Sequence, residues 1–284
     1  MATATGITTT TAASGWSPDV NYYQAADFIP ESLLLQTATI AGEIDGDSTT
    51  CKVAFIRDSG STGAGATVKR ELEQLDDEEP DMADLELRTV KLGRLATVSS
   101  EMFEKPNTAS QLAASFCRDL TRRADVAYMD GIDGLLVGMR NLAGATKAAA
   151  PVATNLDSLV DLLAELECAG AHPTHVVVDP RSWASLRKLK TANDHNSTLL
   201  PSGADDTQPK LLGLTVLRSE FMTPGSGLVL DKSEVVSAVG PVKIAQSEHA
   251  QFARDGIVLR ATMRIAWGCP KPERTGVFTV GGKK

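Results

Sequence analysis

The sequence predicts a mixed α+β fold, and three observations carry that expectation. A long amphipathic helix starts at Thr108 and repeats apolar residues four apart, at Leu112, Phe116, Leu120, Ala124 and Tyr128. Ahead of it, residues 51–99 read as strand-like runs separated by a Gly-rich tip and an acidic run, the pattern of an extended β-arm. Behind it, from Ala143 onward, helix and strand patterns alternate as they do in a layered α/β subdomain.

Composition limits the function classes. A chain of 284 residues, 42% hydrophobic and 23% charged, can bury one large core or two moderate ones. It contains no run of eighteen apolar residues, and its Thr- and Ala-rich start lacks the basic and apolar parts of a secretion signal, so no membrane association is expected. Cys51, Cys117, Cys168 and Cys269 stand singly, as reduced packing thiols do. A net charge of −8 weighs against a protein whose main work is gripping phosphates, because that affinity comes from clustered Lys and Arg.

Taken in order, residues 1–20 form a small polar arm that needs a surface to lie on. A short helix is expected after Pro30 and a strand over Thr37 to Ala41. Cys51 to Ile56 reads as a strand, Ser59 to Gly65 as a tip, Asp76 to Asp81 as an acidic run, and Leu85 to Val98 as one long β return. An isolated two-stranded ribbon is only marginally stable in water, so an arm of this kind should gain order by packing on a neighbouring copy. Thr108 and Gln111 make a capping box for the long helix, whose polar face carries Arg118, Asp119, Arg122, Arg123 and Asp125. Ala143 to Thr154 reads as a linker. Beyond it, Asn155 caps a helix closed by Gly170, a strand spans His175 to Val178, and a helix runs from Pro180 to Lys190. Apolar runs at Leu211 to Leu217, Gly227 to Leu230, Val235 to Ile244, Ile257 to Trp267 and Val277 to Val280 complete the strands.

No motif supplies an anchor for catalysis. Gly60 to Thr67 has the glycines of a phosphate loop, but Ala66 and Thr67 stand where Lys and Ser or Thr are required. Cys168, His172 and His175 fall across a helix end, a turn and a strand start without an evident fourth ligand, so no metal is expected. No G-x-S-x-G elbow accompanies the four histidines. The acidic run lacks the alternating ligands and central Gly of a calcium loop. Neither enzyme activity nor a cofactor is expected. Arg187, Lys188 and Lys190 lie on the polar side of a helix whose other side carries Trp183, Leu186 and Leu189. Asp76, Asp77, Glu78 and Glu79 of one copy are expected to meet a basic group such as this on the next, since complementary charge fixes register.

The order of these pieces resembles the major capsid proteins of tailed bacteriophages with the Hong Kong 97 type fold. The most specific stretches are THVVVDPRSWASLRKLK (Thr174 to Lys190), LLGLTVLRSEFMTPGSGLVLD (Leu211 to Asp231) and FARDGIVLRATMRIAWGCPKPE (Phe252 to Glu273). The resemblance implies an N-terminal arm and lead-in segment over 1–50, an extended β-arm over 51–99, a peripheral domain with a spine helix over 100–142, an axial domain over 143–250, and return strands to the peripheral domain over 251–284. It further implies self-assembly into hexamers and pentamers of an icosahedral shell enclosing double-stranded DNA. Scaffolding, portal and decoration proteins are the implied partners, and assembly in the host cytoplasm the implied setting. Some relatives cross-link a Lys of the arm to a late Asn. Here Lys69, beside Arg70, could supply the first group, but no Asn follows Asn196, so a non-covalent shell is expected. An encapsulin-like cargo compartment shares the fold and stays open as an alternative; an α/β nucleotide-binding enzyme has only the patterning of its last half in its favour.

Overall fold

The computed structural model describes residues 20–44, 47–56, 71, 82–132, 134–190, 198–199 and 209–281. Two six-stranded sheets organise them. At the centre of the first lies the strand Gly256–Gly268, paired antiparallel with Val90–Ser99 on one side and with Val242–Gln251 and Val236–Val239 on the other. Val20–Tyr23 and Thr39–Glu43 extend that second side, the latter in parallel.

Alternation decides which face of this sheet is covered. Ile257, Leu259, Ala261, Met263, Ile265 and Trp267 are buried, whereas the residues between them from Val258 to Arg264 are more open, the period of two that a half-covered strand requires. The helix Thr108–Asp130 covers the apolar face with Phe116, Leu120, Ala124, Ala127 and Tyr128. Its end is locked where Tyr128 meets Trp267 edge-to-face at 5.6 Å and Trp267 Nε1 donates to the Val137 carbonyl at 2.8 Å.

The second sheet runs in the order Lys210–Leu211, Leu214–Arg218, His175–Val178, Ser226–Leu230, Gly276–Thr279 and Thr146–Lys147. The helices Asp157–Cys168 and Pro180–Arg187 bury Leu159, Leu162, Leu166, Trp183 and Leu186 in its core. Asp179 caps the second of these helices by accepting from the Arg181 and Ser182 amides, with Pro180 in the first turn. Leu212 and Gly213, at φ 50° and 85°, form the two-residue turn that pairs the first two strands.

Several expectations need correction. The long helix does start at Thr108, but the residue before it, Asn107, is left-handed and makes no side-chain cap, so the Thr108–Gln111 capping box is not formed. Asp125, expected on the polar face, is buried, because the segment Ser32 to Thr37 packs over that side of the helix. Leu85 to Val98 is two strands, Met82–Arg88 and Val90–Ser99, interrupted at Thr89. Val235 to Ile244 likewise divides, with Gly240 and Pro241 as the break. Asn155 is not the cap of the helix it precedes; that place falls to Leu156, and Asn155 Nδ2 donates to Asp157 instead. Gly170 does close that helix, at φ 80°, as the Gly170 and Ala171 amides return to the Glu167 and Leu166 carbonyls. The following helix stops at Arg187, and Lys190 bridges to Thr198.

The stretch Ala143 to Thr154 is not a free linker. The amides of Thr146, Ala148 and Val152 donate to the carbonyls of Thr275, Val277 and Thr279, which lays this Ala-rich segment along the edge of the second sheet. Sheet membership also crosses the expected boundary at 250. Val236–Val239 and Val242–Gln251 belong to the first sheet, while Gly276–Thr279 returns to the second between Ser226–Leu230 and Thr146–Lys147.

Candidate assembly surfaces

The first surface is a two-stranded ribbon, Thr50–Ile56 paired with Met82–Arg88 from Thr50↔Arg88 to Ile56↔Met82. Its base is anchored: Val53 and Leu87 are buried with Ile44, Ala238 and Ala266. Gly268 makes room for this anchor, since a Cβ there would stand 2.6 Å from Leu87 Cδ2 and 3.0 Å from Leu85 Cδ2. The far end is apolar and uncovered, with Ile56 57% and Met82 69% exposed.

A buried polar joint ties the lead-in segment to the long helix. Asp125 accepts from Ser32 Oγ and from the Leu33 amide, both at 2.8 Å, and so serves the first turn of the helix Leu33–Thr37. Burial pushes its carboxyl up to about 6, against the pull of these two donors. Tyr128 and Thr37 share a hydrogen bond of 3.0 Å, and burial drives the Tyr128 phenol far above its usual value. On the outer side of the same helix, Arg122 bridges to Glu220 at 3.1 Å and lies 5.2 Å from the Phe221 ring centre, in a shallow cleft that Phe28 and Cys117 also line.

The uncovered face of the first sheet is cationic. Register places Lys91 opposite Arg264, Leu95 opposite Arg260, Arg260 opposite Ala245, and Tyr22 opposite Lys243, all on the side away from the long helix. Lys243 Nζ sits 5.7 Å from the Tyr22 ring centre. Arg264 is held by Asp47 at 3.2 Å and by Thr89 Oγ1 at 3.0 Å, and Lys91 lies 3.7 Å from Asp47. The Arg264 hydrogen bond, then Lys91 and Lys243, keep the Asp47 carboxyl below the usual carboxylate range.

Arg187, Lys188 and Lys190 are exposed beside buried Trp183, Leu186 and Leu189. Lys69, Arg70, Asp76, Asp77, Glu78, Glu79 and the tip Gly60 to Gly65 lie outside the described residues. Cys168 is exposed at its helix end, the His172 amide donates to Asp231 at 2.6 Å, and His175 Nδ1 lies 2.8 Å from Thr174 Oγ1. Sequence reading missed the cationic face because its members are far apart in the chain. The signal was the alternation of Lys91, Gly93, Leu95 and Thr97 with the more covered residues of the same strand.

The sequence profile described as "Phage capsid family" matches residues 31–274. The chain belongs to the phage capsid family. This capsid protein is a structural subunit that forms a shell with copies of itself. Its fold is that of solved capsid chains. A chain from Microbacterium phage Oxtober96 is 13% identical, with TM-score 0.68 and coverage of 97% of this chain and 100% of that one. One from Gordonia phage Cozz is 16% identical, with TM-score 0.65 and coverage of 99% and 98%. A chain of the capsid of an empty GTA particle is 17% identical, with TM-score 0.64 and coverage of 87% and 89%. A search of curated proteins gives no match. The capsid protein thus has the Hong Kong 97 type fold that its sequence resembles.

Proposed function

We propose that this capsid protein assembles into hexamers and pentamers that close an icosahedral shell around double-stranded DNA. One observation carries the reading: the β-ribbon is fixed at its base and carries uncovered Ile56 and Met82 at its far end. A ribbon of this kind is marginal alone, and packing on the adjacent subunit supplies what its own chain does not. Head-to-tail contact between unlike surfaces closes into rings, so one chain serves both ring sizes when the arm adapts. The second sheet and its helices form the axial body near the ring centre, and the first sheet with the long helix forms the peripheral body. Contacts are non-covalent, Asp76 to Glu79 meet a basic surface of the neighbour, and Arg187, Lys188 and Lys190 are exposed candidates for such a surface. The role is structural and involves no turnover. Assembly proceeds in the host cytoplasm with scaffolding, portal and decoration proteins.

Negative-stain electron microscopy of the purified chain, alone and with the products of its neighbouring genes, tests this. Closed icosahedral particles containing DNA are expected. A uniform monomer in both preparations would refute the reading, and particles filled with an enzyme would replace the virion with a cargo compartment.

A further inference from the structure

The second sheet carries both of its helices on one face. Leu162 and Leu166 of the helix Asp157–Cys168 share a core with Trp183 and Leu186 of the helix Pro180–Arg187 and with Val176 and Val178 beneath them, whereas Val177 belongs to the core on the other side. The first helix lies over Gly276–Thr279 and Thr146–Lys147; a Cβ on Gly276 would stand 2.9 Å from Leu166 Cδ1. The second leads from His175–Val178 towards the parallel strand Leu214–Arg218 and so crosses the other half of the sheet. The two helices thus serve opposite edges of one layer.

Their outward faces carry opposite charge. Buried Leu159, Leu162 and Leu166 fix the inward side of the first helix, which leaves Asp157, Asp161, Ala164 and Glu165 in an exposed stripe. On the second helix and its C-terminal cap, Arg181, Ala184 and Lys188 form the matching exposed stripe. No Lys or Arg occurs in residues 157–168, and no Asp or Glu in residues 180–190. Like charges four residues apart weaken an isolated helix, so the series Asp157, Asp161, Glu165 gains from an opposing basic surface. Within one chain none is provided: among the described residues no ion pair joins these carboxylates to a basic side chain.

Building on the shell reading above, we infer that the acidic face of the helix Asp157–Cys168 packs against the basic face of the helix Pro180–Arg187 on the next subunit of a ring. Each copy carries both halves at opposite edges of one layer, so the contact is head-to-tail and repeats around an axis. Ala164 and Ala184 sit among the charges of their stripes, where a small side chain lets two helices approach closely, and half-exposed Val160 borders the acidic side. The charges fix direction, since a copy turned the other way would set carboxylate against carboxylate. A second copy is favoured over a foreign basic partner because the complement is built into the same chain, whose net charge of −8 otherwise sets its copies against each other.

Site-directed cross-linking tests the contact. Ala164→Cys and Ala184→Cys are placed in separate chains that also carry Cys168→Ser, and the two chains are assembled together. A short thiol cross-linker should give covalent dimers in the mixed particles and none in particles of either chain alone, which control for Cys51, Cys117 and Cys269. Charge reversal is the second arm: Asp161→Lys with Glu165→Lys in one chain, Arg181→Glu with Lys188→Glu in another. Each should melt as the wild type does and fail to form rings alone; should either melt lower, the cysteine pair still decides. An equimolar mixture should form hexamers but no pentamers, because the two kinds must alternate, and the chain with all four changes should close shells again. Mixed particles without cross-linked dimers, or normal shells from either reversed variant alone, would overturn the inference and leave the shell reading intact. So would rescue of the Arg181→Glu, Lys188→Glu chain by charge reversal of Asp76 to Glu79 in place of Asp161 and Glu165. A wild-type chain that forms no particles, alone or with the products of its neighbouring genes, would refute the shell reading and the inference with it.

Discussion

Asp125 should contribute more to the subunit's stability in mild acid than at neutral pH. Its carboxyl is raised from 3.8 to about 6 by burial, so between these values the folded chain holds a proton that the unfolded chain has released. Stability from this group therefore falls as pH rises from about 4 to about 6 and is flat above. The difference is roughly two pH units at 1.36 kcal/mol each, about 3 kcal/mol. Asp125→Asn keeps an oxygen for Ser32 Oγ and the Leu33 amide but cannot ionise. Urea unfolding of unassembled subunits, followed by tryptophan fluorescence at pH 4.5 to 7.5, isolates the effect, because the other titrating groups cancel between the two proteins. The Asn variant should gain on the wild type as pH rises, by about 2 kcal/mol between pH 4.5 and 7.5, since the part of the shift below pH 4.5 lies outside that window. Parallel curves, with a difference constant to about 0.5 kcal/mol, would refute the reasoning, since that is the scatter expected of independent sites.

Four substitutions probe other parts of the fold. Gly227→Ala sets a Cβ 2.1 Å from Phe278 Cζ, and should cost about 3 kcal/mol or more in thermal unfolding by overpacking the second sheet. Tyr128→Phe removes the bond to Thr37 and should cost about 1 kcal/mol in the same assay. Asp179→Ala deprives the Arg181, Ser182 and Gly225 amides of their acceptor and should cost about 2 kcal/mol in urea titration. Arg122→Ala, in contrast, removes an ion pair whose partners are both more than 60% exposed, so its melting curve should shift by less than about 1 kcal/mol equivalent.

Local patterns were legible wherever the local signal and the tertiary outcome agree. The strand at His175–Val178, the Pro180 start and the Gly170 stop follow from residues within a few positions of each other. The long helix was readable for the same reason, through its apolar spacing. Its carboxylate at Asp125 misled because a charged residue at that position looks solvated until Ser32, 93 residues away, is brought over it. Ala143 to Thr154 misled because small residues signal a linker, while its backbone amides are in fact spent on the carbonyls of 275–279. For the cationic face, spacing marks the open side of one strand but not which residues the neighbouring strands bring beside it. Lys91 and Arg264 are neighbours only through the pairing of two strands that the linear sequence keeps far apart.

The first sheet also governs when the subunit can finish folding. Its strands come from residues 20–23, 39–43, 90–99 and 236–268, and its central strand follows all the others in sequence. The seat for the ribbon at Gly268 and the apolar bed for the long helix exist only after that strand has left the ribosome. Contacts at this sequence separation form slowly as a class. An unfinished chain lacks the platform on which its own arm is built.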